Sequence, residues 1–186
     1  DRDTARDFIT LVHRCCDVCR RFPVPVIARI DGYALGGGLA LAAACDLRVA
    51  SDRARFGMPE VRIGIPSVVE AALLPRLIGA SRARNLVLTA DMIGADTALA
   101  WGLVDAVVSP DRLDAEVERF AALIVAGGPH AIRLQKALSL DWEDAPSASA
   151  AIARGIEVFV DSFATDEPRR MTGAARAAML ARRKAP

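Results

Sequence analysis

An α/β domain followed by a helical C-terminal region is the architecture this sequence predicts, on three observations. Strand-like segments and short helices alternate through the first part of the chain, and a triple-glycine turn joins one strand to one helix. From Ser67 onward the pattern is mostly helical. The composition, 53% hydrophobic and 25% charged over 186 residues, gives enough chain for one ordinary core and argues against disorder. The boundary between the two parts falls at residues 110/111. With 24 basic and 23 acidic side chains, a net charge of +1 removes the electrostatic case for a nucleic-acid binder or a polybasic membrane protein. The uncharged stretch from Gly32 to Ala44 is glycine-studded and too short to span a bilayer. No signal-peptide pattern opens the chain, which starts on Asp1 rather than methionine.

The first helix is expected to start at Thr4, where Thr4-Ala5-Arg6-Asp7 resembles a capping box, and to end before Phe22-Pro23. Val24-Pro25-Val26-Ile27-Ala28-Arg29-Ile30 reads as a strand, with its prolines near the beginning, where a lost N–H is tolerable. Asp31 to Gly38 is a glycine-rich turn, and Leu39 to Ala44 a tightly packed helix. Leu47-Arg48-Val49-Ala50 is a second strand, followed by an extended piece around Arg55-Phe56. Ser67-Val68-Val69-Glu70 reads as a capping box for a helix running to Gly79, kinked at Pro75. Ser81 caps the next helix, through Thr89. A short helix from Asp96 to Trp101 is stopped by Gly102, and Leu103 to Val108 is a strand. Helices then cover 110–126, 130–140, 149–163 and 167–184, the first two separated by Gly127-Gly128-Pro129.

Three features could carry chemistry. Gly36-Gly37-Gly38, between a strand and a helix, lets the backbone approach a ligand closely and points free N–H groups at it. Such a turn suits a phosphate or a developing oxyanion, or is simply a tight turn with close packing. Its spacing fits neither the dinucleotide fingerprint nor a P-loop. Glu60 lies among apolar neighbours in Phe56-Gly57-Met58-Pro59-Glu60. Apolar surroundings disfavour the ionised form of a carboxylate, as a general acid/base near neutral pH requires. The plainer reading of Glu60 is a solvated loop residue, or one paired with Arg62. Glu70 is a rival carboxylate already accounted for as a cap.

His13, Cys15, Cys16 and Cys19 invite a metal reading, but on a helix they spread around the circumference, and Cys45 stands alone. Phe8, Val12, Cys15, Cys16 and Cys19 instead form one apolar helical stripe, with free buried thiols that suit a reducing cytoplasm. Neither His13 nor His130 lies in a nucleophile motif. No metal or catalytic triad is expected.

At these residues the sequence resembles a known family. Pro25-Val26-Ile27-Ala28-Arg29-Ile30-Asp31-Gly32-Tyr33-Ala34-Leu35-Gly36-Gly37-Gly38, followed by Cys45-Asp46, Phe56-Gly57-Met58-Pro59-Glu60 and Gly64-Ile65-Pro66, is similar to the enoyl-CoA hydratase/isomerase (crotonase) family. Ala95 to Val104 resembles its later helix-to-strand segment, and Ala164-Thr165-Asp166-Glu167 and Ala181-Arg182-Arg183-Lys184 its C-terminal helices. The resemblance implies a crotonase-like spiral of β-β-α units with a helical C-terminal trimerisation region, assembled as a homotrimer or a dimer of trimers. It implies an acyl-CoA thioester as substrate, with no separate cofactor, and a cytoplasmic enzyme. The thioester oxygen would sit between two backbone N–H groups, one of them from Gly37. The other donor belongs to an upstream segment that would precede Asp1, the resemblance covering roughly two-thirds to three-quarters of a typical member.

The resemblance assigns Glu60 and Gly37 the catalytic roles and Gly36, Ala40, Pro59 and Ser67 a place around the substrate. Hydratases of the family carry a second glutamate where this chain has Ala40. One remaining carboxylate suits double-bond isomerisation better than addition of water. The family's glycine-rich Pro-Gly-x-Gly-Gly run is here Pro66-Ser67-Val68-Val69-Glu70, which reshapes the acyl pocket and offers Glu70 as a substitute carboxylate. Pro168-Arg169-Arg170 replaces an acidic-glycine step; those arginines face a CoA phosphate or form a solvated face. The alternative of a different class is a non-catalytic crotonase-fold scaffold or CoA-thioester-binding protein.

Overall fold

Helix α1 spans Arg2–Arg21 because Asp1 caps it, its carboxylate accepting from the N–H groups of Asp3 at 3.0 Å and Thr4 at 2.9 Å. Thr4 is therefore inside the helix rather than its cap, and its hydroxyl donates to Asp1. The computed structural model describes residues 1–184, with side chains as far as Leu180. Strand β1 is Ile27–Ile30. Val24 to Val26 stays outside the strand, because Pro25 has no N–H and Val26 is taken up by Asp46. The Val26 N–H donates to the Asp46 carboxylate at 2.6 Å, and its carbonyl accepts from the Asp46 N–H at 2.9 Å.

The glycine-rich turn is not irregular throughout: strand β2, Tyr33–Leu35, lies inside it, and helix α2 starts at Gly37 and runs to Ala44. Strands β3 (Leu47–Ser51), β4 (Arg55–Gly57), β5 (Met92–Gly94) and β6 (Ala106–Val108) complete two three-stranded sheets. In one, β3 lies centrally and pairs parallel with β1 and β6, with Ala28 opposite Arg48 and Ala50 opposite Val107. In the other, β4 pairs parallel with β2 and antiparallel with β5, with Phe56 between Ala34 and Ile93. The β6 strand is shorter than Leu103 to Val108, because Asp105 binds Arg48 instead of entering the ladder: its N–H donates to the Arg48 carbonyl, and its carboxylate accepts from the Arg48 N–H. Sequence reasoning missed β2 and β5, each only three residues long.

After β4 come the 3₁₀ turns Glu60–Ile63 and Val69–Leu73, then α3 (Leu74–Ile78), α4 (Ala80–Thr89) and α5 (Ala95–Trp101). Ser67 does not open a helix here. The segment from Val69 is a 3₁₀ turn, and Pro75 sits in the first turn of α3, where its missing N–H costs little, so it begins a helix rather than kinking one. Gly79, not Ser81, flanks α4, with φ +83°. Leu39, Phe56, Leu74, Leu86 and Leu103 are wholly enclosed in one cluster between these elements. Each such side chain contributes about 1.5–3 kcal/mol relative to exposure. A smaller cluster of Cys16, Ala40 and Ala44 packs α1 on α2. Of the apolar stripe expected on α1, Cys16 is buried while Phe8 and Cys15 are exposed.

One compact unit spans Asp1–Ala121; a second begins at Ala122, inside helix α6 (Leu113–Val125), which follows the 3₁₀ turn Pro110–Arg112. The second unit holds α7 (Pro129–Asp144), α8 (Ala148–Asp161), the 3₁₀ turn Ser162–Ala164 and α9 (Glu167–Lys184). The Glu167 carboxylate accepts from the Ala131 N–H at 2.9 Å and the His130 N–H at 3.1 Å, capping α7; those backbone donors hold its pKa below the ordinary value. No described helix is long and apolar enough to cross a membrane.

Candidate active site

The segment between β1 and α2 brings backbone N–H groups to the wall of a cavity. Asp31 anchors its start, accepting from Arg53 Nε at 2.7 Å and Nη2 at 2.6 Å, and these bonds hold its carboxyl down at about 2. Gly32, at φ +117°, turns the chain into β2, and Gly36, at φ +54°, turns it into α2. The Gly36 N–H donates to the Gly57 carbonyl, and its own carbonyl accepts the first helical bond, from Ala40, both at 2.9 Å. No side chain caps α2. Helix geometry therefore leaves the N–H groups of Gly37 and Gly38 without intrahelical partners, at the positive end of the helix dipole.

Glu60 reaches the same place from β4. Pro59 leads into the 3₁₀ turn, and Gly64, at φ +80°, closes it. The hydroxyl of Ser67 donates to Glu60 Oε2 at 2.8 Å, so Ser67 rather than Arg62 is the partner of this carboxylate. The other oxygen faces the glycine turn: a Cβ built on Gly36 would lie 2.6 Å from Glu60 Oε1. Glycine at position 36 thus satisfies both a left-handed backbone and a close approach.

These groups share a cavity of about 220 Å³. Gly36, Gly37, Ala40 and Met58 form one side, and Ile65, Pro66, Val68 and Val69 another. Phe8, Ile9 and Val12 of α1 form a third, and Glu60 is the one titratable side chain in the lining among the described residues. Val69 has φ +49°, a costly conformation for a β-branched residue. A larger cavity, of about 500 Å³, lies in the helical unit against Trp142, Ile152, Ile156 and Phe159 and has no titratable group in its lining. Of the two, the smaller has the titratable side chain in its lining.

The structure thus brings Glu60, Gly36, Gly37 and Ala40 together. Ser67 stands behind Glu60, and Pro59 positions the turn; neither lines the cavity. Glu70 also stays out of it. Its carboxylate, only 5% exposed, turns to α1, where Oε1 lies 2.7 Å from His13 Nδ1. It is therefore neither a helix cap nor a group facing the cavity. Burial first, and then the neighbouring Glu70 charge, push the Cys16 thiol up to about 12. The His13–Glu70 pair joins residues far apart in sequence, and no local pattern announced it. The apolar spacing of Phe8 and Val12 was visible, but it reads equally as core and as cavity wall. No cluster of three His, Cys, Asp or Glu side chains converges among the described residues.

Comparison with known proteins shows which family the chain resembles. The family model described as Enoyl-CoA hydratase/isomerase matches residues 8–185. A crotonyl-CoA hydratase of Syntrophomonas wolfei is 40% identical over 160 residues, 86% of this chain and 60% of that protein. A short-chain-enoyl-CoA hydratase of Clostridium acetobutylicum is 41% identical over 144 residues, 77% of this chain and 55% of that one. The chain thus spans 60% or less of the length of these curated relatives. Among solved structures, a probable enoyl-CoA hydratase/isomerase from Mycobacterium abscessus superposes with a TM-score of 0.90 at 32% identity, over 96% of this chain and 70% of that one. An enoyl-CoA hydratase from Bacillus anthracis gives 0.91 at 29% identity, over 96% and 69%.

Proposed function

Because the chain belongs to the enoyl-CoA hydratase/isomerase family, we propose that it carries the acid/base half of an acyl-CoA thioester site, with Glu60 moving the proton and the Gly37 N–H stabilising the enolate oxygen. Loss of a proton from the carbon next to a thioester carbonyl places negative charge on the carbonyl oxygen. A preorganised N–H in a water-poor cavity stabilises that charge where it develops. Both groups line one cavity, and the Glu60 oxygen facing the glycine turn is the observation that carries this reading.

The reaction favoured is double-bond isomerisation of a 3-enoyl-CoA. Glu60 takes a proton from carbon 2, the electron pair passes into a dienolate, and the proton returns at carbon 4, leaving the 2-enoyl thioester. One carboxylate suffices, and no water is consumed. Ala40, 2% exposed in the cavity wall, supplies no second carboxylate to activate water. Hydration of a 2-enoyl-CoA is the second reading, favoured by the names of the curated relatives. The substrate serves as its own carrier, so no further cofactor is invoked.

Self-association into a homotrimer or a dimer of trimers is part of the proposal, supported by apolar residues that α8 leaves exposed, Ile156 at 58% and Phe159 at 67%. A cytoplasmic location is proposed from the free thiols, of which Cys15 is exposed. The test offers 2-enoyl-CoA and 3-enoyl-CoA to the full-length protein and to its Glu60→Gln variant. Turnover that depends on Glu60 supports the reading. Binding of acyl-CoA with no turnover of either thioester contradicts it in favour of a scaffold.

A further inference from the structure

We propose that Ser67 is a positioning residue that fixes which oxygen of Glu60 meets the substrate, an inference that rests on the acid/base role given to Glu60 above. A carboxylate has two equivalent oxygens, and the torsion that turns it is broad and roughly two-fold. A glutamate alone in an apolar cavity would present either oxygen. Here Ser67 Oγ donates to Oε2 at 2.8 Å, while Oε1 lies against Gly36, beside the turn that carries the Gly37 N–H. The equivalence is broken: Oε2 is the anchor and Oε1 the reacting oxygen.

The segment that carries the hydroxyl is anchored beyond it. Pro66 and Val68, its neighbours in sequence, line the cavity, and beyond them Glu70 is tied to His13 on α1 at 2.7 Å. Val69, between these two anchors, keeps its left-handed backbone at φ +49°. Such strain in a β-branched residue persists only where surrounding contacts over-determine it. The segment from Ser67 to Glu70 is therefore fixed at one end on the acid/base and at the other on α1.

The consequence is mechanistic. When a substrate C–H bond breaks, its proton goes to Oε1 and its electron pair to the dienolate. Oε2 then becomes the carbonyl oxygen of the neutral acid and still accepts from Ser67. The same O–H bond breaks as the second carbon takes the proton, so one oxygen performs both transfers and the carboxyl need not rotate between them.

The experiment compares wild type, Ser67→Ala, Ser67→Thr and Glu60→Gln in the full-length protein. It measures kcat and KM on the enoyl-CoA that is turned over. Ser67→Ala is expected to lower kcat about tenfold, the worth of one hydrogen bond to a charged group. KM should change little, because the hydroxyl holds the base and does not itself line the cavity. Ser67→Thr, which keeps the hydroxyl, restores most of the rate. An unchanged kcat in Ser67→Ala, with Glu60→Gln inactive, overturns the role of Ser67 and leaves that of Glu60 standing. A kcat loss with no rescue by threonine, or one matched by a rise in KM, overturns it equally. Activity surviving in Glu60→Gln overturns the reading beneath it.

Discussion

Glu60 is set apart from the other acidic residues by what stands next to it. Gly36 opposes one oxygen and Ser67 binds the other, so the carboxylate is held in an apolar cavity in one orientation. Glu60→Gln keeps the shape and the Ser67 contact but cannot take a proton. It should lower turnover about 10²–10⁴-fold with an unchanged far-UV circular dichroism spectrum. Gly36→Ala tests the opposing side. Its Cβ would stand 2.6 Å from Glu60 Oε1 on a backbone at φ +54°, so the side chain or the turn must shift. The variant should lose most activity and about 1–2 kcal/mol of stability by urea unfolding. Glu60 and the glycine turn could be singled out in the sequence because their motifs are local, and the structure brings them to one cavity. The roles of Ser67 and Glu70 were misread because a capping box is also a local pattern, and here each side chain found a partner at longer range.

Two pairings hold the elements that build the site. His13 and Glu70 tie α1 to the segment beyond Ser67, and Asp31 and Arg53 fix the turn before β2. Glu70 is nearly fully enclosed, so His13→Ala strands a buried carboxylate. We expect that variant to lose about 1 kcal/mol, limited because His13 itself is half exposed, and Glu70→Gln to lose less. The Asp31 bond has a pH signature. Its carboxyl titrates at about 2 in the folded chain against 3.8 ordinarily, so the bond stabilises the fold fully above about pH 4, and that contribution vanishes as pH falls toward 2. Arg53→Ala should remove this part of the acid dependence, seen as a flatter fall in urea midpoint between about pH 4 and pH 2. Strands β1 and β3 were predictable, from Val24 to Ile30 and Leu47 to Ala50. The three-residue strands β2 and β5 were not, since their identity lies in the partner, as with Ile93 opposite Phe56, rather than in any run of their own.

At the scale of the whole molecule, the sequence announced the change from alternating strands and helices to helices alone. It did not place the division of compact units after Ala121, which falls within one continuous helix without a composition shift. The helical unit exposes Ile156 and Phe159 beside a groove also lined by Trp142, a surface that suits association. Phe159→Asp should shift the sedimentation coefficient toward that of a smaller species, while leaving the pairing of α7 with α8 intact. With Glu60 the one carboxylate in the cavity lining among the described residues, isomerisation should outrun hydration. The most direct measurement gives the full-length protein 3-enoyl-CoA and 2-enoyl-CoA side by side and separates the products. Formation of 2-enoyl-CoA from the 3-enoyl thioester, faster than hydration and lost in Glu60→Gln, is the predicted result. Hydration of 2-enoyl-CoA as the faster reaction, or any turnover untouched by Glu60→Gln, would contradict it.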